Sequence, residues 1–461
     1  MRIGILPLGR PTFDVPFAES KLEAMLRQLD AIEHELIGPR ILLLDEDSAR
    51  RAIDTLKKSK VNQVLILQTT FTDASMAVAV AAAFDQPMSI WAVPEPRIGG
   101  RLRLNAFCGL NLASHALGLK GREFSWLYCD PETDNAADQI SRLFSGELRT
   151  RLLSASKTPN ETADGTTVAR AIHGRKIARL GEHPVGFDTC AYDADELNKL
   201  AGVEVEELEI NDLFGAARNA SAAKAVNLRA EIDQQLKGLN EVDQAELDRS
   251  LRLKVGLDDL TARGGYSAFA IRCWPETFTE YGGAVCGPAA MMGENKIPCA
   301  CEADVYGALS QLVLQETAQA PVFLTDLVDI DTTDNTGVLW HCGQAPYSMR
   351  DPESYAEATI HTNRKQPLLY QFPLKPGPVT YMRVSQAFNK KQMVLGLGEM
   401  LQRPMAFTGT SGVIRFSRNA GDVLNDLISG GIEHHIAIAY GDHRETLRGV
   451  AGAMKLPLME L

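Results

Sequence analysis

The feature that most restricts the fold is an alternation of short apolar runs with amphipathic stretches through the first third of the chain. Arg2–Pro7 is an apolar run of strand length, and Glu19–Glu35 carries Leu22, Met25, Leu26 and Leu29 at helical spacing. The pattern repeats as a strand over Ile41–Leu44, a helix over Ser48–Lys58 and a strand over Gln63–Leu67. A packed helix over Ala77–Phe84 and a strand over Ser89–Val93 follow. Parallel strands need long crossover connections, so this alternation predicts a mainly parallel sheet with helices on both faces. Functional groups in such sheets gather beyond the carboxyl ends of the strands, which places Gln68–Phe71 and Pro94–Arg97 on one rim.

Beyond this region Ser154–Thr167 (SASKTPNETADGTT) reads as a linker or exposed loop. Lys176–Leu180 and Val203–Leu208 read as strands, and Asn219–Leu260 as helical, with Leu228, Ile232, Leu236 and Leu239 on one stripe. Alternation continues to about Val328. From Gly337 onward come short β-rich segments at Leu368–Phe372, Val379–Val384, Met393–Leu397 and Ile436–Tyr440. The expected architecture is two doubly wound parallel-sheet α/β domains, residues 1–160 and 161–328, followed by a β-rich, barrel-like C-terminal domain, residues 329–461. A chain of 461 residues is too long for a single hydrophobic core, which agrees with this division.

Bulk properties exclude several function classes. A composition 45% hydrophobic and 23% charged is that of a globular protein. A net charge of -12 opposes a general affinity for nucleic acid or anionic membranes. The apolar run at Met76–Phe84 is far shorter than the roughly 18 residues of a membrane span. No apolar signal-peptide region follows Met1, and the 8 cysteines form no CxxC pair, so reduced thiols and a cytoplasmic location are expected.

Four positions combine metal-ligand side chains with places near strand ends. Glu302 follows Pro298–Cys301 and opens a helical run to Leu314; Asp326 follows the apolar strand Pro321–Leu324. His341 lies in VLWHCGQAP (Val338–Pro346) and His435 in GIEHHIAIAY (Gly431–Tyr440). Two carboxylates and two imidazoles suit Mn²⁺ or a related divalent ion such as Co²⁺ or Mg²⁺. Singly, each has a plainer reading, as a helix-dipole partner, a turn cap or a satisfied core histidine. Adjacent residues on a strand point to opposite faces, so one of His434 and His435 is expected to face the site and the other away. The basic segment Arg97–Asn105 (RIGGRLRLN) sets Arg101 and Arg103 on one face of an extended stretch. Arginine forks suit carboxylate, phosphate or sulfonate groups, although a solvated or inter-subunit ion-pair strip fits the same pattern. Trp91, Trp274 and Trp340 are large aromatics that serve either as core or as the floor of a sugar pocket.

Taken together, these segments resemble the L-arabinose isomerase/L-fucose isomerase superfamily. Gln68–Met76 (QTTFTDASM) is similar to a His-Thr-Phe-Ser-Pro-Ala-Lys-Met type of segment, and Ile177–Gly181 to a short strand that opens the second domain. Glu302, Asp326, His341 and Gly431–His435 occur in the family's order and with similar spacing. The resemblance implies three domains, assembly as a trimer or hexamer, and a neighbour's first domain completing each site. It implies Glu302, Asp326, His435 and His341 as metal ligands, with Glu302 and Asp326 also the acid/base pair. The second acid is Asp, as in fucose isomerases, whereas arabinose isomerases use Glu; His341 matches a ligand of arabinose isomerases alone. Gln68, Arg97, Arg101, Arg103, Asn105 and Trp340 are the expected substrate contacts. The implied activity is aldose–ketose isomerisation of a pentose, hexose, deoxyhexose or sulfonated hexose such as sulfoquinovose. The rivals are a non-catalytic sugar-binding or regulatory protein and a metal-dependent aldolase.

Overall fold

The computed structural model describes residues Met1–Leu461. The first sheet is parallel throughout, in the order β2-β1-β3-β4-β5: β1 (Arg2–Leu8), β2 (Glu35–Ile37), β3 (Gln63–Gln68), β4 (Met88–Ala92) and β5 (Ser125–Tyr128). Strands β3 and β4 are buried at every position, as a sheet covered on both faces requires. The expected strand at Ile41–Leu44 does not form; Leu43 makes one bridge to Leu8, and the edge belongs to β2. Pro39 lies between the two and has no N–H to give a ladder. The strand order reverses direction between β1 and β3, so a crevice opens beyond their carboxyl ends. Arg10 and Thr70 stand at that crevice, the Arg10 N–H donating to Thr70 Oγ1 at 2.8 Å.

The second sheet is also parallel, in the order β10-β9-β6-β7: β6 (Lys176–Leu180), β7 (Glu204–Leu208), β9 (Tyr266–Ile271) and β10 (Cys299–Ala300). The helical stretch expected over Asn219–Leu260 is two helices, Ala222–Ile232 and Gln244–Gly264. They are separated by β8 (Leu236–Lys237), which joins the third sheet. Gly238 with φ +79 turns the chain, and Asp243 caps the second helix by accepting the Glu246 N–H at 2.9 Å. Here the order reverses between β6 and β9, and Arg272–Trp274 flank a second crevice.

The third sheet comprises β8 and β11 (Phe323–Asp331), β12 (Thr336–His341), β13 (Ala356–Thr359), β14 (Leu369–Pro373), β15 (Gly377–Ser385), β16 (Gln392–Met400), β17 (Thr410–Phe416), β18 (His435–Tyr440) and β19 (Leu458–Glu460). Six of these, in the order β16-β15-β18-β11-β12-β17, are antiparallel neighbours, and β17 pairs back to β16. The ring is therefore closed, and closure removes its free edges. The architecture is the expected one: two parallel α/β sheets and a β-rich, barrel-like C-terminal part. No helix is long and apolar enough to cross a membrane.

The helix Ala163–Ile172 is clamped against Arg444–Ala453 through glycines. A Cβ on Gly165 would lie 2.1 Å from the Gly449 carbonyl carbon, so backbone meets backbone. Gly165→Ala is expected to cost about 1–3 kcal/mol through overpacking. Gly215→Ala, in the helix Ile210–Arg218 with nothing within 4 Å, is expected to be neutral or stabilising. Equal urea midpoints for the two variants would contradict this account.

Candidate active site

Three segments carry acidic and imidazole groups to one point. Glu302 follows β10 at the carboxyl edge of the second sheet, Asp326 sits in β11, and His435 opens β18. The barrel register pairs Asp326 with His435, and directly opposed residues on antiparallel neighbours share a face. His435 Nε2 lies 3.8 Å from Glu302 Oε2 and 3.6 Å from Asp326 Oδ1.

Local backbone sets Glu302 in a way the spacing did not predict. The helix begins at Val305, not at Glu302; Asp304 is its N-cap and accepts the Gly307 N–H at 2.8 Å. Glu302 stands before the helix with φ 58 and ψ 25, a left-handed conformation costly for a residue with a Cβ. Its carboxylate accepts from Trp274 Nε1 at 3.2 Å and contacts His434 Nε2 at 3.0 Å. Burial pushes this carboxyl up, but the His434 hydrogen bond and the imidazoles of His434 and His435 bring it below its ordinary value. Asp326 likewise lies inside a strand and not beyond one, because the apolar, β-branched pattern runs on through Val328 and Ile330.

The expectation that His434 and His435 face opposite ways is overturned. Their rings lie 3.9 Å apart and both contact Glu302. The pleat begins at His435, so strand alternation does not govern His434, which belongs to the turn after Gly431 (φ 55). The helix Ala106–Leu119 holds that turn: Asn111 Nδ2 donates to Ile432 O at 2.6 Å and His115 Nδ1–H to Gly431 O at 2.8 Å.

A buried ionic chain backs the cluster. His435 Nδ1–H donates to Asp304 Oδ2 at 2.9 Å, which leaves the Nε2 lone pair facing Glu302 and Asp326. Arg383, fully buried on β15, donates to Asp304 Oδ1 at 3.0 Å and to Thr189 O at 3.2 Å, with Glu433 Oε2 at 4.0 Å from its Nε. Although burial opposes ionisation of both, the mutual attraction holds Asp304 well below the carboxylate range and Arg383 above its usual value.

The arrangement fits a divalent cation. Asp326 Oδ1 is buried with no hydrogen-bond partner, an acceptor that lacks a positive neighbour. Glu302, His434 and His435, and likewise Asp326, His341 and His435, place potential ligand atoms within 4.8 Å of one another. His341 differs in one respect: its Nδ1 accepts the Cys342 N–H at 2.8 Å, so a neutral ring carries its proton on Nε2.

Residues 4–174 match the family model described as Fucose/sulfoquinovose isomerase, N-terminal domain. Over nearly its whole length the chain is 31% identical, across 461 residues, to the sulfoquinovose isomerase of Clostridium sp. (strain MSTE9), covering 99% of this chain and 98% of the relative. The chain belongs to the fucose/sulfoquinovose isomerase family. The sulfoquinovose isomerase of Priestia megaterium is 30% identical over 449 residues, covering 96% of this chain and 95% of that one. The protein is accordingly a sugar isomerase of the aldose–ketose class.

In this isomerase the remaining expected substrate contacts are distributed unequally. Gln68 is fully buried and spends its amide on Thr70 O at 2.6 Å and Thr72 Oγ1 at 3.0 Å. Asn105 takes a left-handed backbone (φ 50), its N–H held by Glu95 at 2.8 Å, and its Oδ1 is buried without a partner. Trp340 is opposite Asp326 in the register, and its indole N–H donates to Thr408 O at 2.7 Å. The three arginines already have protein partners. Arg97 pairs with Asp329 at 2.6 Å and Arg103 with Asp14 at 2.9 Å, while Arg101 Nη2 bridges Thr12 O at 2.6 Å and Asn363 Oδ1 at 2.8 Å. Sequence reasoning flagged His434 only as one of an adjacent pair and missed Asp304 and Arg383. Of these two, Arg383 carried a signal, as the lone charge in the apolar stretch Val379–Val384.

Proposed function

We propose that this isomerase interconverts sulfoquinovose, a sulfonated hexose, and its ketose through an enediolate, with Glu302 and Asp326 as the acid/base pair. The observation that carries the chemistry is the convergence of these two carboxylates on His435 Nε2, at 3.8 and 3.6 Å. The substrate rests on the near full-length similarity to proteins named sulfoquinovose isomerase.

Glu302, Asp326 and His435 would hold the divalent ion, Mn²⁺ or a similar metal, with His341 a hydrogen-bond donor unless its ring releases the Cys342 N–H. An ion held there would supply Lewis acidity toward the C1 and C2 oxygens of the substrate. The carboxylates remove a proton from one carbon of the C1–C2 pair and return one to the other. Trp274 and His434 fix the Glu302 carboxylate from two sides, and Asp304 fixes the His435 tautomer. A trimer or hexamer in the cytoplasm agrees with the family resemblance and with eight free thiols.

Two experiments test this reading. Sulfoquinovose incubated with the enzyme in D₂O and followed by carbon NMR should yield ketose with solvent deuterium at C1, and recovered sulfoquinovose with deuterium at C2. Complete retention of the migrating hydrogen would favour a hydride shift and remove the acid/base roles. Mn²⁺ at about a hundred times its Kd should stabilise the folded enzyme by about 2.7 kcal/mol. That shift should vanish in Asp326→Asn; an equal shift there would remove Asp326 from the ligand set.

A further inference from the structure

Groups from all three sheets meet at one indole. Arg10, beyond β1, has its guanidinium carbon 5.9 Å from the Trp274 ring centroid. Trp274 itself lies just beyond β9. Arg364, in the loop between β13 and β14, has its guanidinium carbon 5.6 Å from the same centroid. The indole N–H of Trp274 donates to Glu302 Oε1 at 3.2 Å. Trp274 therefore contacts both the carboxylate cluster, through Glu302, and two guanidinium groups.

The two arginines are not equally satisfied. Arg10 pairs with Asp73 at 2.7 Å, whereas the Arg364 guanidinium has neither a hydrogen-bond acceptor nor an ion-pair partner. Arg364 is half-buried, and that burial, together with the nearby Arg10 charge, lowers it from its ordinary value. An unpaired, partly desolvated cation beside a second cation is unfavourable unless an anion joins them.

The surrounding contacts hold this arrangement in place. His361 Nδ1 accepts the N–H groups of Asn363 and Arg364, each at 3.2 Å. Its ring is pushed down to about 3, by burial first and then by the Arg364 charge, and so stays a neutral acceptor. Arg101 ties the loop carrying Arg364, through Asn363, to the segment carrying Arg10, through Thr12. Its fork is thus spent on setting the distance between the other two arginines.

We propose that Arg364, with Arg10, is the subsite that binds the sulfonate of the substrate, and that Arg101 is a positioning residue for that pair. The inference rests on the isomerase reading of the Glu302–Asp326–His435 cluster. A six-carbon sugar lying along Trp274 would present its C1–C2 end to the carboxylates and its sulfonate to the arginines. Two guanidinium forks match a tetrahedral anion whose three oxygens share one charge.

The test compares sulfoquinovose with its neutral 6-deoxy analogue in wild type, Arg364→Ala and Arg364→Lys. Arg364→Ala removes no hydrogen bond or ion pair and only the stacking on Trp274, worth about 0.5–1 kcal/mol, so its melting temperature should stay within a few degrees of wild type. The kcat/KM preference for the sulfonated sugar should fall by about ten- to a hundred-fold in Arg364→Ala, mainly through KM, and recover partly in Arg364→Lys. Equal losses on both sugars, or an unchanged preference, would overturn the proposal. Calorimetry with 3-hydroxypropane-1-sulfonate separates the two readings. If wild type binds this probe, Arg364→Ala does not, and sulfoquinovose is not isomerised, the anion subsite stands while the isomerase reading falls.

Discussion

Glu302→Gln is expected to lower turnover by about a hundred- to ten-thousand-fold, the usual range for losing a positioned general acid or base. The substitution keeps the shape of the side chain and an oxygen to accept the Trp274 N–H at 3.2 Å, so the pocket wall survives. What it removes is the negative charge facing His434 and His435 and the basicity needed to take a proton from carbon. Deuterium wash-in at C1 and C2 should fall with turnover, because both report the same proton transfer. Metal content by elemental analysis separates the two duties of the carboxylate: retained ion with lost exchange identifies the base, and lost ion identifies the ligand. A variant that exchanges and turns over within ten-fold of wild type would end the acid/base assignment. Asp326→Asn is the companion measurement, since its unpartnered buried Oδ1 marks it as the other acceptor of the pair.

Arg383→Met should have the largest effect on stability, a loss of about 3–5 kcal/mol, the range for removing one partner of a buried ion pair. Arg383 is 0% exposed and faces two carboxylates, Asp304 and Glu433. Without it both would be stranded in an apolar surrounding, and Asp304 would no longer be held against His435. The urea midpoint should drop sharply, and Mn²⁺ binding should weaken because the His435 tautomer is no longer fixed. Adding Asp304→Asn and Glu433→Gln to Arg383→Met should recover part of the lost stability, since neutral amides tolerate burial better than unpaired charges. Metal binding should not recover with it. An Arg383→Met protein as stable as wild type would mean that the buried carboxylates take up protons at little cost.

The two effects differ in how they could be foreseen. Glu302 and Asp326 were readable as candidates because each follows or lies in an apolar run, and a carboxylate at such a place is conspicuous. Arg383 was conspicuous only as a lone charge among Val379–Val384, and nothing local said which acids it would meet. The basic run Arg97–Asn105 attracted notice for its density of charge, yet each of its arginines is already paired within the fold. Arg364, in a plain polar loop, gave no pattern at all, yet its guanidinium lies over Trp274 without a hydrogen-bond or ion-pair partner.

The parallel alternation of the first third, the switch to β-rich segments after Gly337, and the acidic and imidazole residues were determined by the sequence alone. These follow from periodicity and residue chemistry, which act over a few neighbouring positions. Tertiary structure alone decided the left-handed Glu302 backbone, the convergence of His434 with His435, the Asp304–Arg383 support and the meeting of Arg10 and Arg364 over Trp274. Each joins residues between one and about 350 positions apart whose distance is set by sheet order and barrel closure, and no local pattern encodes those.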